Sequence, residues 1–228
     1  MDKKDYGDFQ TPWLLADSIC SILEQDFGLS GFSAILEPTC GTGNFLFAAA
    51  CHWGDTCKDI IGIELNPEYC IEAEKFQKRF KNIFVMNENI FGLDTKKFLK
   101  DTSRVLIIGN PPWADISGIT ENHPMKESQE DLKGLENLTG ASNIDIGWYI
   151  IVQLAREYKG TNTTIAFLCK SSAARKAFLS LQKENIPFSS FEILEIEAKD
   201  WFSVEISGVL MVIQLCSDNV KQFRQTHI

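Results

Sequence analysis

The chain has 228 residues, which suits one domain with a sizeable core, and no apolar run approaches the length of a bilayer-spanning helix. The first ten residues, MDKKDYGDFQ, lack the apolar segment of a signal peptide, so a cytoplasmic protein is expected. The 31 acidic and 22 basic residues give a formal net charge of −9. This balance argues against tight nucleic-acid binding by the chain alone, because such binding needs cations that replace the counterions of the phosphates.

Cysteine and histidine usage excludes the common disulfide and metal frameworks. The seven cysteines lie mostly in apolar segments without a C-x-x-C pair, and the three histidines lack the spacing of metal ligands. Reduced, buried thiols and no metal site are therefore expected.

Strand-like and helix-like segments alternate along almost the whole chain. A helix is predicted after Thr11-Pro12, with Thr11 as its N-cap and Pro12 at its first position. Apolar runs predict seven strands, at 32–37, 59–65, 82–87, 104–109, 163–169, 191–197 and 208–216. The stretch 41–53 opens with glycines and runs into a predicted apolar helix, and further stretches predict helices at 67–80, 144–158 and 172–184. The alternation predicts an α/β fold with a doubly wound, mostly parallel sheet, whose ligands bind beyond the carboxyl ends of the strands.

The first strand leads into a glycine-containing turn, EPTCGTGNFL (37–46), at the start of a helix. Gly41 and Gly43 allow a ligand to approach the backbone, but Leu46 stands where a dinucleotide fingerprint has its third glycine. Glu64 ends the second strand, where a carboxylate can accept both hydroxyls of a ribose. Glu37 precedes the turn, and its carboxylate would repel a pyrophosphate but attract the ammonium of an amino acid. Together these features predict a nucleoside joined to an amino acid, S-adenosylmethionine.

A stiff turn, NPPW (110–113), follows the fourth predicted strand. Pro111 and Pro112 lack N–H donors and restrict φ, so Asn110 and Trp113 are held rigidly. The exocyclic amine of a nucleobase is a poor nucleophile because its lone pair is delocalised into the ring. The Asn110 side-chain oxygen and the Pro111 carbonyl can accept hydrogen bonds from the two N–H groups of this amine and so localise its lone pair. Trp113 offers a ring on which the base can stack.

These motifs resemble those of the S-adenosylmethionine-dependent amino-methyltransferases, and most closely the N6-adenine DNA methyltransferases of bacterial restriction–modification systems. The similarity runs from GDFQTP (7–12) to VLMVIQL (209–215), nearly the whole chain. The resemblance implies one catalytic domain over 1–228 with a Rossmann-like methyltransferase fold, a mostly parallel seven-stranded sheet with an antiparallel last strand. It also implies transfer of a methyl group to N6 of adenine in DNA.

The resemblance gives each motif a role. It places Thr11 near the methionine part of the cofactor, and Asn89, in NENIF (87–91), near the adenine amine of the cofactor. It assigns catalysis to the NPPW turn, and it assigns Phe202, in WFSVEISGVL (201–210), to packing against the flipped base. The other implied cofactor contacts are Glu37, Pro38, Thr39, Gly41, Gly43, Glu64, Leu65, Ile90 and Asn110.

Two departures from the family pattern affect these expectations. Asn89 replaces the usual aspartate, although its side-chain oxygen can still accept a hydrogen bond from the adenine amine of the cofactor. No target-recognition domain follows the last motif within the 228 residues, which agrees with the acidic charge. DNA is therefore expected as the partner, with recognition supplied by a further segment or a separate subunit. A small substrate is the other option.

Several alternatives stay open on the sequence. An RNA adenine methyltransferase would use the same chemistry, because NPPW reads the amine and not the sugar. A glutamine methyltransferase acting on a release factor would carry a helical domain before the glycine turn. Cytosine N4 methylation usually has serine where Asn110 stands, and a non-catalytic cofactor-binding subunit would not need an intact NPPW. A dehydrogenase is disfavoured by Leu46 and Glu37.

Overall fold

The computed structural model describes residues 9–114, 144–196, 201 and 208–217, and the backbone alone of 222–226. The helices are α1 (Trp13–Gln25), α2 (Asn44–Trp53), α3 (Pro67–Glu74), α4 (Ile146–Glu157) and α5 (Ser171–Lys183). The strands are β1 (Ala34–Glu37), β2 (Asp59–Glu64), β3 (Ile83–Asn87), β4 (Val105–Gly109), β5 (Thr163–Lys170), β6 (Phe188–Ile196), β7 (Gly208–Leu215) and β8 (Gln222–Thr226). None of the helices in these ranges is long and apolar enough to cross a membrane.

The strands form one sheet in the order β3-β2-β1-β4-β5-β7-β6-β8. The pairs from β3 to β5 are parallel, whereas β7 runs antiparallel to both of its neighbours, β5 and β6. The predicted fold class is therefore confirmed, including the antiparallel orientation of the last predicted strand. The structure adds β8, which pairs in parallel with β6 at the sheet edge. Its sequence, QFRQT, has no apolar run that would predict a strand.

The core has two layers, one on each face of the sheet. Along β4, Val105 and Ile107 belong to one layer, and Leu106 and Ile108 belong to the other. Helices α4 and α5 cover the first face, and α1, α2 and α3 contribute to the second. A strand that is buried on both faces is continuously apolar. The sequence of β4 therefore predicts a strand although apolar and polar residues do not alternate in it.

Two predicted helix boundaries are wrong. Thr11 is not the N-cap of α1, because Pro12 takes that position with extended backbone and its carbonyl accepts from the amides of Leu15 and Ala16. The predicted helix 67–80 ends as an α-helix at Glu74 and continues as a 3₁₀ turn over Lys75–Lys78. Helix ends commonly tighten in this way, and the hydrophobic period does not register the change.

Candidate active site

The predicted site residues meet beyond the carboxyl ends of three neighbouring strands. β1 lies between β2 and β4, with Glu37 paired to Gly62 and Leu36 paired to Ile107. The turns that follow β1, β2 and β4 therefore lie side by side at one edge of the sheet. Crevices at this edge are where open α/β sheets bind their ligands.

The glycine turn after β1 depends on two left-handed residues. Gly41 has φ +52° and Gly43 has φ +84°, a region that side chains other than glycine rarely adopt. A Cβ on Gly43 would lie 2.9 Å from Cβ of Ala73, so α3 also requires glycine there. The turn delivers the chain into α2, whose N-terminus carries the positive end of the helix dipole.

Glu64, at the end of β2, is held against this turn. Its Oε2 accepts from the amide of Gly41 at 2.8 Å, and its Oε1 accepts from the amide of Asn66 at 2.8 Å. The Asn87 side chain donates to the carbonyls of Glu64 and Leu65, each at 2.9 Å, and thereby holds the segment after β2. The sequence did not single out Asn87. A carboxylate oxygen can accept more than one hydrogen bond, so a residue of this type can bind the amides of a turn and a ligand hydroxyl together.

Glu37 is buried at the end of β1. Its Oε2 accepts from the amide of Leu46 at 3.0 Å, in the first turn of α2. Burial raises the pKa of this carboxyl well above its usual range, the hydrogen bond from Leu46 opposes that shift, and the nearby Glu64 charge adds to it. A cationic ligand group beside Glu37 would favour the ionised form, as expected for an ammonium.

A small pocket joins these residues to the NPPW turn. Its lining residues are Phe9, Gln10, Thr11, Glu37, Thr39, Cys40, Gly41, Thr42, Asn44, Phe45 and Asn110, and its volume is about 30 Å³. Among the described residues, Thr39 Oγ1 is buried without a hydrogen-bond partner. The polar lining groups, the Glu37 carboxyl and this unpartnered hydroxyl suit an amino-acid nucleoside, but the present volume holds little more than water. A ligand of that size requires the pocket to open.

The segment Phe9–Gln10–Thr11 fills the space in front of the glycine turn. Gln10 Oε1 accepts from the amide of Thr42 at 2.9 Å and from its hydroxyl at 3.2 Å. A Cβ on Gly41 would lie 2.3 Å from that oxygen, so the Gln10 side chain occupies the space that glycine leaves. The carbonyl of Thr11 accepts from Asn44 Nδ2 at 2.8 Å. Gln10 was missed in the sequence, although it stands inside the FQTP motif.

The NPPW turn is held on both sides. Asn110 Nδ2 donates to the carbonyl of Phe9 at 2.9 Å, and Trp113 Nε1 donates to Asn110 Oδ1 at 2.7 Å. The Phe9 and Trp113 rings meet edge to face, with centroids 5.8 Å apart. The carbonyl of Ala114 accepts from the amide of Ile146 at 3.0 Å, which ties the end of the turn to the start of α4.

The other predicted residues lie after β3, directly after β1, or beyond the described part of the chain. Asn89 follows β3, and its Oδ1 accepts from the amide of Phe91 at 3.0 Å. Ile90 is buried, and its carbonyl accepts from Gln153 at 3.1 Å. Pro38 is buried between Glu37 and Thr39. Phe202 lies outside the described residues, so its predicted place beside the base stays a prediction.

The fold is that of the class I S-adenosylmethionine-dependent methyltransferases. A Listeria monocytogenes structure described as a member of that class matches with a TM-score of 0.70 and 14% identity, covering 96% of this chain and 65% of that one. The methyltransferase subunit of a type I restriction-modification system from Streptococcus thermophilus matches with a TM-score of 0.62 and 16% identity, covering 96% and 47%. No protein-family model matches the chain.

In sequence, the chain is similar to the Type II methyltransferase M.NspV of Nostoc sp. The two are 34% identical over an alignment of 226 positions that covers 92% of this chain and 45% of that protein. The chain therefore spans less than half the length of this relative. The predicted fold class and the predicted cofactor, S-adenosylmethionine, both agree with these matches.

Proposed function

We propose that this chain is the catalytic part of an S-adenosylmethionine-dependent DNA methyltransferase of the restriction–modification type, and that it methylates N6 of adenine. The observation that carries the proposal is that Asn110 and Glu37 line the same pocket at the ends of adjacent strands. An amine held by Asn110 would thus lie beside the cofactor site. The similarity to M.NspV, which extends over 92% of the chain, supports the DNA methyltransferase class.

The glycine-turn residues would bind the cofactor, which supplies an electrophilic methyl group when bound. Glu64 would accept from the ribose hydroxyls while it keeps its bonds to the amides of Gly41 and Asn66. Glu37 would face the ammonium, and Thr39 would find a partner for its buried hydroxyl. Thr11 would lie near the methionine part, and the Asn89–Ile90 segment near the adenine.

The NPPW turn would activate the target amine. The Oδ1 atom of Asn110 and the carbonyl of Pro111 would accept hydrogen bonds from the two N–H groups of N6, so that the nitrogen lone pair points at the methyl group. Fixed acceptors of this kind provide orientation without reorganisation during the reaction. The amine nitrogen would form a bond to the methyl carbon as the bond from that carbon to sulfur breaks, and the nitrogen would release one proton to solvent. Trp113 and Phe202 would contact the flipped base.

DNA would be the substrate, with sequence recognition supplied by protein outside these 228 residues. The net charge of −9 and the greater length of M.NspV both support this division of labour. A catalytic domain with few basic side chains can bind a flipped base, but it makes few of the phosphate contacts that hold a duplex.

Methylation assays test the proposed activity. The protein is incubated with radiolabelled S-adenosylmethionine and, separately, with mixed-sequence duplex DNA, with RNA and with a protein extract. Nucleoside digestion and chromatography then identify the methylated product. N6-methyladenine from DNA is expected. Label in N4-methylcytosine, in RNA or only in protein would contradict the proposal and identify which alternative holds.

A further inference from the structure

The Asn110 side chain is held at both ends of its carboxamide. On one side, Trp113 Nε1 lies 2.7 Å from Oδ1, and on the other, Nδ2 lies 2.9 Å from the carbonyl oxygen of Phe9. An indole nitrogen can only donate, and a carbonyl oxygen can only accept. The two neighbours therefore fix which end of the amide is oxygen and which is nitrogen.

This orientation is the one that the proposed chemistry requires. An amide oxygen has two acceptor positions, so one can accept from the Trp113 indole while the other accepts from a target amine. Rotating the carboxamide by half a turn would present the NH₂ group to the amine, which is itself a donor, and the interaction would be lost. Donation from Nδ2 to Phe9 also polarises the amide and strengthens its oxygen as an acceptor.

The Trp113 indole is held firmly in its place beside Asn110. The side chain is 5% exposed and is packed edge to face against Phe9. The two preceding prolines make the turn that carries it stiff. The hydrogen bond from its N–H to Asn110 is therefore supported by the packing around the ring.

We infer that Trp113 is a positioning residue, whose indole N–H orients the Asn110 carboxamide so that Oδ1 faces the target amine. The inference rests on the proposed function for the identity of that amine. It assigns Trp113 an effect on the rate of methyl transfer, which a ring that only captures the base would not have. Replacement of Trp113 by phenylalanine keeps a ring for stacking but removes the donor. This substitution therefore separates stacking on the base from orientation of Asn110.

The first experiment compares Trp113→Phe with Trp148→Phe. Trp148 Nε1 donates to Ser180 Oγ at 3.1 Å, so this control removes an equivalent indole hydrogen bond that does not involve Asn110. In Trp113→Phe, kcat for DNA methylation should fall roughly tenfold or more, the factor for one hydrogen bond, while KM for DNA stays near wild type. Trp148→Phe should match the wild-type kcat. A wild-type kcat in Trp113→Phe, with or without a raised KM, would overturn the inference.

The second experiment needs no activity. The five tryptophans give five indole N–H resonances in a ¹⁵N–¹H spectrum, and the one missing from Trp113→Phe belongs to Trp113. Asn110→Ala should shift that resonance upfield and speed its exchange with solvent, because the acceptor is gone. An unchanged Trp113 resonance would overturn the inference. If wild-type protein methylates no adenine, the proposed function fails, and this spectrum still decides whether the Trp113–Asn110 contact exists.

Discussion

The Cδ1 atom of Leu46 lies only 2.5 Å from the position that a Cβ would take on Gly62. Leu46 is in α2 at the place of the third glycine of a dinucleotide fingerprint, and Gly62 is in the neighbouring strand β2. A helix and a strand that approach this closely need a glycine on one of them. Here the strand supplies it, and the helix keeps a leucine that fills the core.

This packing predicts that Gly62→Ala destabilises the protein. The added methyl group would meet Leu46 Cδ1 and the Cys40 sulfur, which lies 2.9 Å from the same position. Overpacking of a core costs roughly 1–3 kcal/mol in the free energy of unfolding. Urea unfolding measures the loss. In a double-mutant cycle, Gly62→Ala should cost less in a Leu46→Ala background than in the wild type, because the smaller side chain leaves room for the methyl group. Strict additivity of the two changes would show that they do not share this contact.

The second prediction concerns Glu64. Glu64→Ala removes the proposed ribose acceptor and the bonds to the amides of Gly41 and Asn66. Loss of hydrogen bonds to a charged group should weaken S-adenosylmethionine binding by roughly 1.5–3 kcal/mol, or about tenfold and more. Calorimetric titration of the purified protein gives the affinity. Glu68→Ala, an exposed acid in the first turn of α3, is the matched control. Equal affinities in the two variants would remove Glu64 from the site.

The raised pKa of Glu37 predicts a pH dependence of stability. Between the usual carboxyl value of about 4.5 and its raised pKa, the folded protein holds a proton that the unfolded chain has lost. Stability contributed by this proton is full at low pH and is lost as the pH rises through that window. Glu37→Gln keeps an oxygen for the Leu46 amide but cannot ionise. Its unfolding temperature should therefore fall less than that of the wild type as the pH rises from 4.5.

The same carboxyl links cofactor binding to pH. A cofactor ammonium beside Glu37 favours the ionised form, so binding releases a proton and should strengthen as the pH rises through the folded-state pKa. In Glu37→Gln, affinity for S-adenosylmethionine should be weaker at neutral pH, and this pH dependence should disappear. Titrations in buffers of different ionisation enthalpy count the protons released. If wild type and Glu37→Gln release the same number of protons on binding, Glu37 does not contact the ammonium.

Asn110→Ala should separate catalysis from cofactor binding. The variant loses the proposed acceptor for the amine, so methyl transfer should fall by about a hundredfold or more, the scale for one preorganised polar group. It also loses the hydrogen bond to the Phe9 carbonyl, which helps to hold the segment in front of the glycine turn. Cofactor affinity should stay near that of wild type, because the glycine turn, Glu37 and Glu64 remain. Turnover near the wild-type rate would contradict the proposed mechanism.

The charge balance predicts weak duplex binding by these 228 residues. Near the site, Lys170 at the end of β5 already pairs with the buried Asp145 at 3.3 Å, which leaves it less available to a phosphate. A dissociation constant of roughly 10⁻⁴–10⁻⁶ M with little sequence preference is expected at physiological salt. Gel-shift titrations with duplexes of different sequence measure it. Nanomolar binding to one sequence would show that recognition lies within this chain.

The sequence by itself determined the seven predicted strands, the glycine turn and the position of NPPW after β4. These features follow from local patterns: continuous apolar runs, glycines at a strand–helix junction and prolines after a strand. The strand β8 escaped this reasoning because its mostly polar sequence has no apolar run, whereas its backbone pairs with β6. The end of α3 escaped it because a tightened last turn leaves the apolar pattern unchanged.

Only the tertiary structure decided which side chains meet. Gln10 contacts Thr42 across 32 positions, and Asn110 contacts Phe9 across 101. Such contacts depend on the order of strands in the sheet, which places the turns after β1 and β4 side by side and brings the N-terminal segment across both. Local periodicity contains no information about these distances. Packing likewise decided that the glycine stands on β2, at Gly62, and not on α2. A glycine on either element would let the helix and the strand approach this closely.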